Sequence, residues 1–336
     1  HKYSVVAVNA AGEEGLEATL TVYVGIDKPG AVRNLKAVED LNKEGLIHVT
    51  WDAPLGLHGG YIDPAGLTYY ISIGSSSEDV SLGNNNYYDE QLNIKSKQEY
   101  TGYSVYAVNS SGGGREQWQT VTAIAGPALK APMIESFKNC TMKSGPWITN
   151  MTNGEIGDAY CYAATESTVT LAQDNDGGLQ TFSATAVGKS VRSESPKVDI
   201  KNMKSPVLNF WAYLNGDGDE LNISVQKDYG EFVDVRRIST AEGTKGWNRF
   251  SIDLTPYKDC KFLRIGFEGK AVKNLDNFVA YDNVAIVEKA AADLMAMSIE
   301  TEERVKAGSE SVVEFSFRNN TNTDVKCTDY DIVLYK

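Results

Sequence analysis

At 336 residues the chain is long enough for about two domains, and its 42% apolar content is that of ordinary globular material able to bury a core. Its 32 Lys and Arg against 45 Asp and Glu leave a net charge of −13, which repels phosphate backbones and anionic lipid and so disfavours nucleic acid and membrane surfaces as partners. No apolar run approaches the roughly 20 residues of a membrane helix, and the 4 cysteines are too few for a disulfide scaffold.

The chain opens on Tyr3-Ser4-Val5-Val6-Ala7-Val8-Asn9-Ala10-Ala11-Gly12. Tyr, Val and Ala alternate there with a second set of residues, the period-2 pattern of a half-buried strand, and Asn-x-x-Gly closes it with turn chemistry. Glu17 to Val24 alternates in the same way, and Gly25 to Gly30, with Pro29, reads as a short linker. The opening pattern returns as Tyr103-Ser104-Val105-Tyr106-Ala107-Val108-Asn109-Ser110-Ser111-Gly112, an offset of 103 − 3 = 100 residues. That is about one β-sandwich. Residues 1–25 are therefore expected to be the last strands of a sandwich that begins upstream, and 26–126 a whole one. Gly102 inside the second copy predicts a bulge. His48 falls in a core-facing strand pattern, and the polar loops 57–61 and 83–89 read as solvated connections, though loops of this kind carry binding in many sandwiches.

The repeated run resembles the sixth strand of fibronectin type III domains. Pro29 to Ala37 resembles that family's first strand, and Ile47-His48-Val49-Thr50-Trp51-Asp52-Ala53-Pro54 its second, with the core tryptophan. The corner tyrosine of the family is displaced: its place is Thr101, with Tyr100 one residue before it.

Gly126-Pro127 and Pro132 mark a second linker, after which the strands lengthen. Val207 to Tyr213 is apolar on both faces, Leu221, Ile223 and Val225 alternate, as do Leu263, Ile265 and Phe267, and Trp247 to Leu254 and Val279 to Val287 are further strands. With almost no helical period over 127–288, a two-sheet jelly roll is expected there. The order Glu135-Ser136-Phe137, Trp147, Asp174-Asn175-Asp176-Gly177-Gly178, Ser195-Pro196, Leu208 and Phe210, Trp247, Asp282-Asn283-Val284 resembles the MAM-like jelly rolls known as cleaved-adhesin or choice-of-anchor domains. Such domains occur in large secreted and surface proteins of bacteria, some of them proteases. Residues 289–336 resemble the opening of an immunoglobulin-like domain, through Asp293 to Ile299, Val312 to Asn320 and Tyr330 to Tyr335. The fold expected overall is all-β, a tandem of β-sandwiches.

Catalytic signatures fail in turn. The 3 histidines are His1, His48 and His58, with no zinc-binding spacing among them. Gly188-Lys189-Ser190 lacks the earlier glycine of a phosphate loop, Ser183 standing in its place, and no Gly-x-Ser-x-Gly elbow occurs. Asp174-x-Asp176-Gly177 starts like an EF-hand, but the twelfth position is Thr185 and not Glu. The jelly-roll resemblance instead implies one structural calcium, with Glu135, Asp174, Asp176 and Asp282 as ligands by position and Asn283 in reserve. The bland alternative is that Asp174 and Asp176 solvate a turn. Trp147, Tyr160, Tyr162 and Tyr229 fall in expected loops and could stack sugar rings, whereas Trp51, Trp211 and Trp247 fall in strands and are expected in the core. Cys140 and Cys161 fall in one domain and could pair; Cys260 and Cys327 are expected free and buried.

The expected function is that of a non-catalytic, adhesin-like segment of a secreted or surface bacterial protein. In it the jelly roll recognises a cell-surface glycan or a matrix protein, and the type III units are spacers. The rivals are a carbohydrate-binding or accessory segment of a larger secreted glycoside hydrolase or protease, and a purely structural stalk. Any catalytic domain would lie outside these residues.

Overall fold

The computed structural model describes residues 1–94, 96–151, 157–163, 172–173, 178–184, 190–240, 245–270, 279–289, 294–301, 308 and 312–319, without the side chains of 150–151, 157–163, 183–184, 295 and 301. The described secondary structure is β throughout, joined by turns and short 3-10 segments. Two compact units divide the chain, His1–Val287 and Glu288–Lys336.

The first unit begins with an antiparallel pair, Lys2–Val5 with Ala18–Thr21, in which Tyr3 opposes Leu20. A sandwich follows. One of its sheets holds Arg33–Glu39, Leu46–Asp52 and Tyr87–Gln91; the other holds Gln119–Ala125, Glu99–Asn109, Thr68–Ile73 and Asp79–Gly83, with Gly112–Gly113 paired at one end. Alternation decides which side chains meet: Ile47, Val49 and Trp51 of one sheet pack against Tyr69, Ile71, Tyr103, Val105 and Ala107 of the other. The Trp51 and Tyr69 rings meet edge to face with centroids 5.5 Å apart.

Two expectations change here. His48 points outward: its neighbours Ile47 and Val49 take the core face, so the period-2 rule leaves it half-buried between Asp89, 2.8 Å from Nδ1, and Asp40, 3.4 Å from Nε2. No bulge forms at Gly102, because the register with Gln119–Ala125 runs unbroken from Glu99 to Val105. A Cβ on Gly102 would meet nothing within 4 Å, so the glycine sits in a regular strand without being required by it. Register shifts fall instead between Tyr69 and Tyr70 and between Arg33 and Lys36.

A second sandwich follows. Its six-stranded sheet runs Gly157–Ala163, Gly178–Ala184, Val279–Glu288, Pro206–Leu214, Gly246–Asp253, with Met133–Glu135 paired to Val279–Glu288. Its seven-stranded sheet holds Ile148–Met151, Ser190–Glu194, Leu263–Lys270, Val198–Asp199 and Leu129–Lys130, with Glu220–Lys227 and Phe232–Ser239 continuing from Leu263–Lys270. Leu208, Phe210, Ala212 and Leu214 of the first sheet share one core with Leu221, Ile223, Val225, Ile265 and Phe267 of the second. The Phe267 and Tyr281 rings stack there, 4.0 Å between centroids. Burying each such side chain contributes on the order of 1.5–3 kcal/mol, which is why the strands read from their apolar alternation are the strands present.

Glu288–Lys336 contains an antiparallel pair, Leu294–Thr301 with Val313–Asn319, shifted in register between Ala296 and Ser298. The strand expected over 330–335 lies outside the described residues.

Candidate functional site

The residues expected to bind calcium begin with Glu135, on the short strand Met133–Glu135, where it is 1% exposed. The chain after it turns sharply, with Phe137, Asn139 and Cys140 all at positive φ, and this aims backbone amides at the carboxylate. Oε1 accepts from the Phe137 amide at 3.0 Å, and Oε2 accepts from the Lys143 amide at 2.7 Å, the Ser144 amide at 2.8 Å and the Ser144 hydroxyl at 2.7 Å. Oε2 thus holds three hydrogens and Oε1 one, and Glu135 organises the 136–144 turn. Asp282 is also buried, and its oxygens accept from the Asn283 amide at 2.7 Å and the Gln173 amide at 3.1 Å, while the Asn283 amide group donates to Gln173 Oε1 at 2.9 Å. Asp282 and Asn283 thus grip the chain just before the acidic loop. Asp174 and Asp176 lie outside the described residues, and among the described residues no three His, Cys, Asp or Glu side chains gather as a metal site.

The aromatic expectations are corrected. Trp147 turns inward: its ring lies 5.2 Å from Phe137, 6.0 Å from Tyr281 and 6.5 Å from Phe267, and its N–H donates to the Ser144 hydroxyl at 3.2 Å. It packs against the core between the two sheets and is only partly exposed. Tyr160 and Tyr162 lie in the strand Gly157–Ala163 and not in a loop, and their side chains are outside the described set. Trp51 is 2% exposed in the core, as expected, but Trp211 and Trp247 are only half-buried. Trp247 stands on the far side of its sheet, 5.4 Å from Tyr213, over a small cluster of Ala172, Leu179 and Ala280. Cys140 is a free, half-buried thiol and Cys260 a free, buried one; the side chain of Cys161, and the whole of Cys327, lie outside the described residues.

Tyr229 is likewise no sugar platform, because it belongs to a joint between the two sandwiches. Its hydroxyl donates to Glu39 Oε2 at 2.9 Å, and its ring meets Phe262 edge to face at 5.0 Å. Glu39, at the end of the first sandwich's Arg33–Glu39 strand, also receives Lys197 Nζ at 2.6 Å and the amides of Gly45 and Gly126 at 2.7 and 2.9 Å. Gln98 adds a two-way bond to the Lys197 backbone, accepting its N–H at 2.7 Å and donating to its carbonyl at 2.8 Å. Glu39 is 6% and Lys197 2% exposed, so this is a dry contact. Burial tends to raise the Glu39 carboxyl, yet the bonds from Lys197, Gly126 and Gly45 outweigh it and hold the group below its ordinary range. Burial pulls the Lys197 ammonium down, with Glu39 opposing. The Gly126-Pro127 stretch expected as a linker is therefore stapled on both sides, its Gly126 amide bonded to Glu39 and the Leu129 amide to the Lys197 carbonyl at 2.9 Å. Sequence reasoning missed Glu39, Gln98 and Lys197, since nothing local distinguishes one glutamate or lysine from the others.

The joint covers one end of the seven-stranded sheet's outer face, around Lys197, Tyr229 and Phe262. Next along that face, the Arg192 and Arg264 guanidiniums lie over the Phe232 ring at 4.3 and 5.7 Å, with Glu194 bonded to both arginines at 2.8 Å. At the far end a groove of about 570 Å³ opens across four strands. Cross-strand pairing sets out its rows: Ser190 opposes Lys270, which opposes Glu220; Glu268 opposes Asn222, which opposes Arg237. Arg237 is paired with Glu220, and the Ser190 hydroxyl donates to Glu268.

No family model matches this chain, and no curated protein matches it either. Solved structures with a similar chain course include the K1 cleaved adhesin domain of Lys-gingipain from Porphyromonas gingivalis W83, at 17% identity and a TM-score of 0.37 over 48% of this chain and 99% of that one. A carbohydrate-binding module, TmCBM61, in complex with β-1,4-galactotriose is similar at 12% identity and a TM-score of 0.34, over 46% of this chain and 94% of that one. Another, TmCBM27, described for mannan recognition, stands at 12% identity and 0.31, over 47% and 96%. At these scores none of them assigns a role to this chain.

Proposed function

We propose that this chain is a non-catalytic recognition segment of a secreted or cell-surface protein. In this reading the 26–126 sandwich, of fibronectin type III kind, is a fixed support, and the 127–288 jelly roll is the module that binds. The observation that carries it is the buried joint: a spacer that only separates neighbours has no use for a desolvated ion pair, whereas a support that must hold a binding face in one direction does. Glu39, Gln98, Lys197 and Tyr229 fix both the position and the rotation of the jelly roll on the sandwich, leaving the grooved end of the outer face free of the joint. Calcium belongs to the same proposal, held by Asp282 with Asp174 and Asp176 and without Glu135, and it would tie the acidic loop to the strand Val279–Glu288.

Small-angle scattering of the full chain and of the Lys197→Met variant tests the support. The wild type should give a first unit of one fixed arrangement, and the variant a broader spread of interdomain distances. Wild-type scattering that needs freely hinged sandwiches would leave the stalk as the better account.

A further inference from the structure

Resting on that recognition reading, we infer that the groove at the far end of the seven-stranded sheet is a binding site for an uncharged oligosaccharide, held by hydrogen bonds to charged and amide side chains instead of by ring stacking. The groove lies where Ser190–Glu194, Leu263–Lys270, Glu220–Lys227 and Phe232–Ser239 run side by side. Two of its pairs are already set: Arg237 with Glu220, and Ser190 with Glu268. These pairs orient a carboxylate on each side, leaving acceptor capacity toward the opening. Between and beside them Asn222, Asp234 and Lys270 make no side-chain hydrogen bond or ion pair among the described residues. An amide, a carboxylate and an ammonium that face one opening without partners form a mixed set of donors and acceptors.

The chemistry of that set selects the ligand. A polyanion such as nucleic acid or a sulfated glycan meets Glu220, Asp234 and Glu268 in the same opening, and a chain of net charge −13 around it. An apolar peptide finds only Val235 to cover it among the lining residues. A neutral polyol is the class that suits both signs, since each sugar hydroxyl donates to a carboxylate while accepting from an ammonium, a guanidinium or an amide. Strands spaced about 4.8 Å apart place successive partners at regular intervals along the groove, which suits an extended chain of sugars. No aromatic side chain lines the opening among the described residues, so binding is enthalpic and weak.

Titration calorimetry of the full chain with a panel of neutral plant, fungal and bacterial oligosaccharides tests the site, beside a sulfated oligosaccharide and an acidic and an apolar peptide. The neutral class should bind, and Asn222→Ala and Lys270→Ala should each weaken it about fivefold to tenfold, the loss of one hydrogen bond. Both side chains are on the outer face, so the melting temperature should stay put. Binding of the sulfated or peptide probes alone overturns the ligand class. Neutral binding that both variants leave unchanged overturns the site, as does the absence of binding by any probe. None of these outcomes alters the scattering result, so a failed groove and a failed support are told apart.

Discussion

Gly178 shows how much one missing side chain decides. A Cβ there would lie 1.7 Å from the Phe137 carbonyl oxygen, so the strand Gly178–Ala184 can start beside the Glu135 turn only on a residue without one. Gly178→Ala is expected to cost about 3 kcal/mol or more, the penalty of overpacking against backbone that cannot yield, read by denaturant unfolding. Asp27 shows the same economy in a polar setting. Burial pushes its carboxyl up, but the His58 ring and the amides of Gly60, His58 and Lys28 more than offset this and bring it down to about 2. A depressed carboxyl stabilises the folded chain above the unfolded value of about 3.8 and loses that contribution as pH falls through about 2. His48 runs the other way. Asp89, then Asp40, raise it against burial, so its contribution is complete below about 6.5 and fades as pH rises through the higher folded value. NMR titration should place the Asp27 midpoint near 2 and the His48 midpoint above 6.5. A normal midpoint for either removes its bonds from the account.

Between strands, the joint is where energetics and architecture meet. Lys197 and Glu39 are 158 residues apart in sequence and share a 2.6 Å contact away from water. Removing one member leaves the other buried and uncompensated, so Lys197→Met alone should lose about 3–5 kcal/mol, whereas Glu39→Gln with Lys197→Met should lose clearly less than the sum of the two single changes. A double-mutant cycle in urea reads this directly; additive losses would mean the two side chains do not stabilise each other. Sheet pairing also explains the fate of the aromatics. Trp147 precedes the strand Ile148–Met151 and is drawn into the gap between the sheets, where Phe137, Phe267 and Tyr281 already meet. Tyr229 sits on the turn after Glu220–Lys227, which the joint covers.

For the molecule as a whole, the proposed calcium makes a linked prediction. An ion bound only to the folded chain stabilises it by mass action, by about 2.7 kcal/mol at 100 times its dissociation constant. Chelator should therefore lower the melting temperature, Asp282→Asn should abolish that difference, and Glu135→Gln should lower stability while leaving the calcium difference in place. Equal melting with and without chelator would discard the ion and leave Asp282 as a carboxylate that grips Gln173 and Asn283 through hydrogen bonds alone.

The period-2 runs were enough to determine the β class and the most apolar strands, because burying one face of a strand is written in its own alternation. Among these are Leu46–Asp52 and Glu99–Asn109 of the first sandwich and Pro206–Leu214, Glu220–Lys227, Leu263–Lys270 and Val279–Glu288 of the second, whereas Tyr87–Gln91 begins inside the stretch read as a polar loop. Local chemistry stopped where meaning depends on a distant neighbour. Alternation puts His48 outside as soon as Ile47 and Val49 are inside, but which face of a loop Trp147 or Tyr229 presents follows from what packs over it. Glu39, Gln98 and Lys197 carry no signature of their own; they become a joint only when tertiary structure removes water from around them and places donor against acceptor. The groove likewise exists only through cross-strand register, which sets Asn222 between Glu268 and Arg237 from three separate strands.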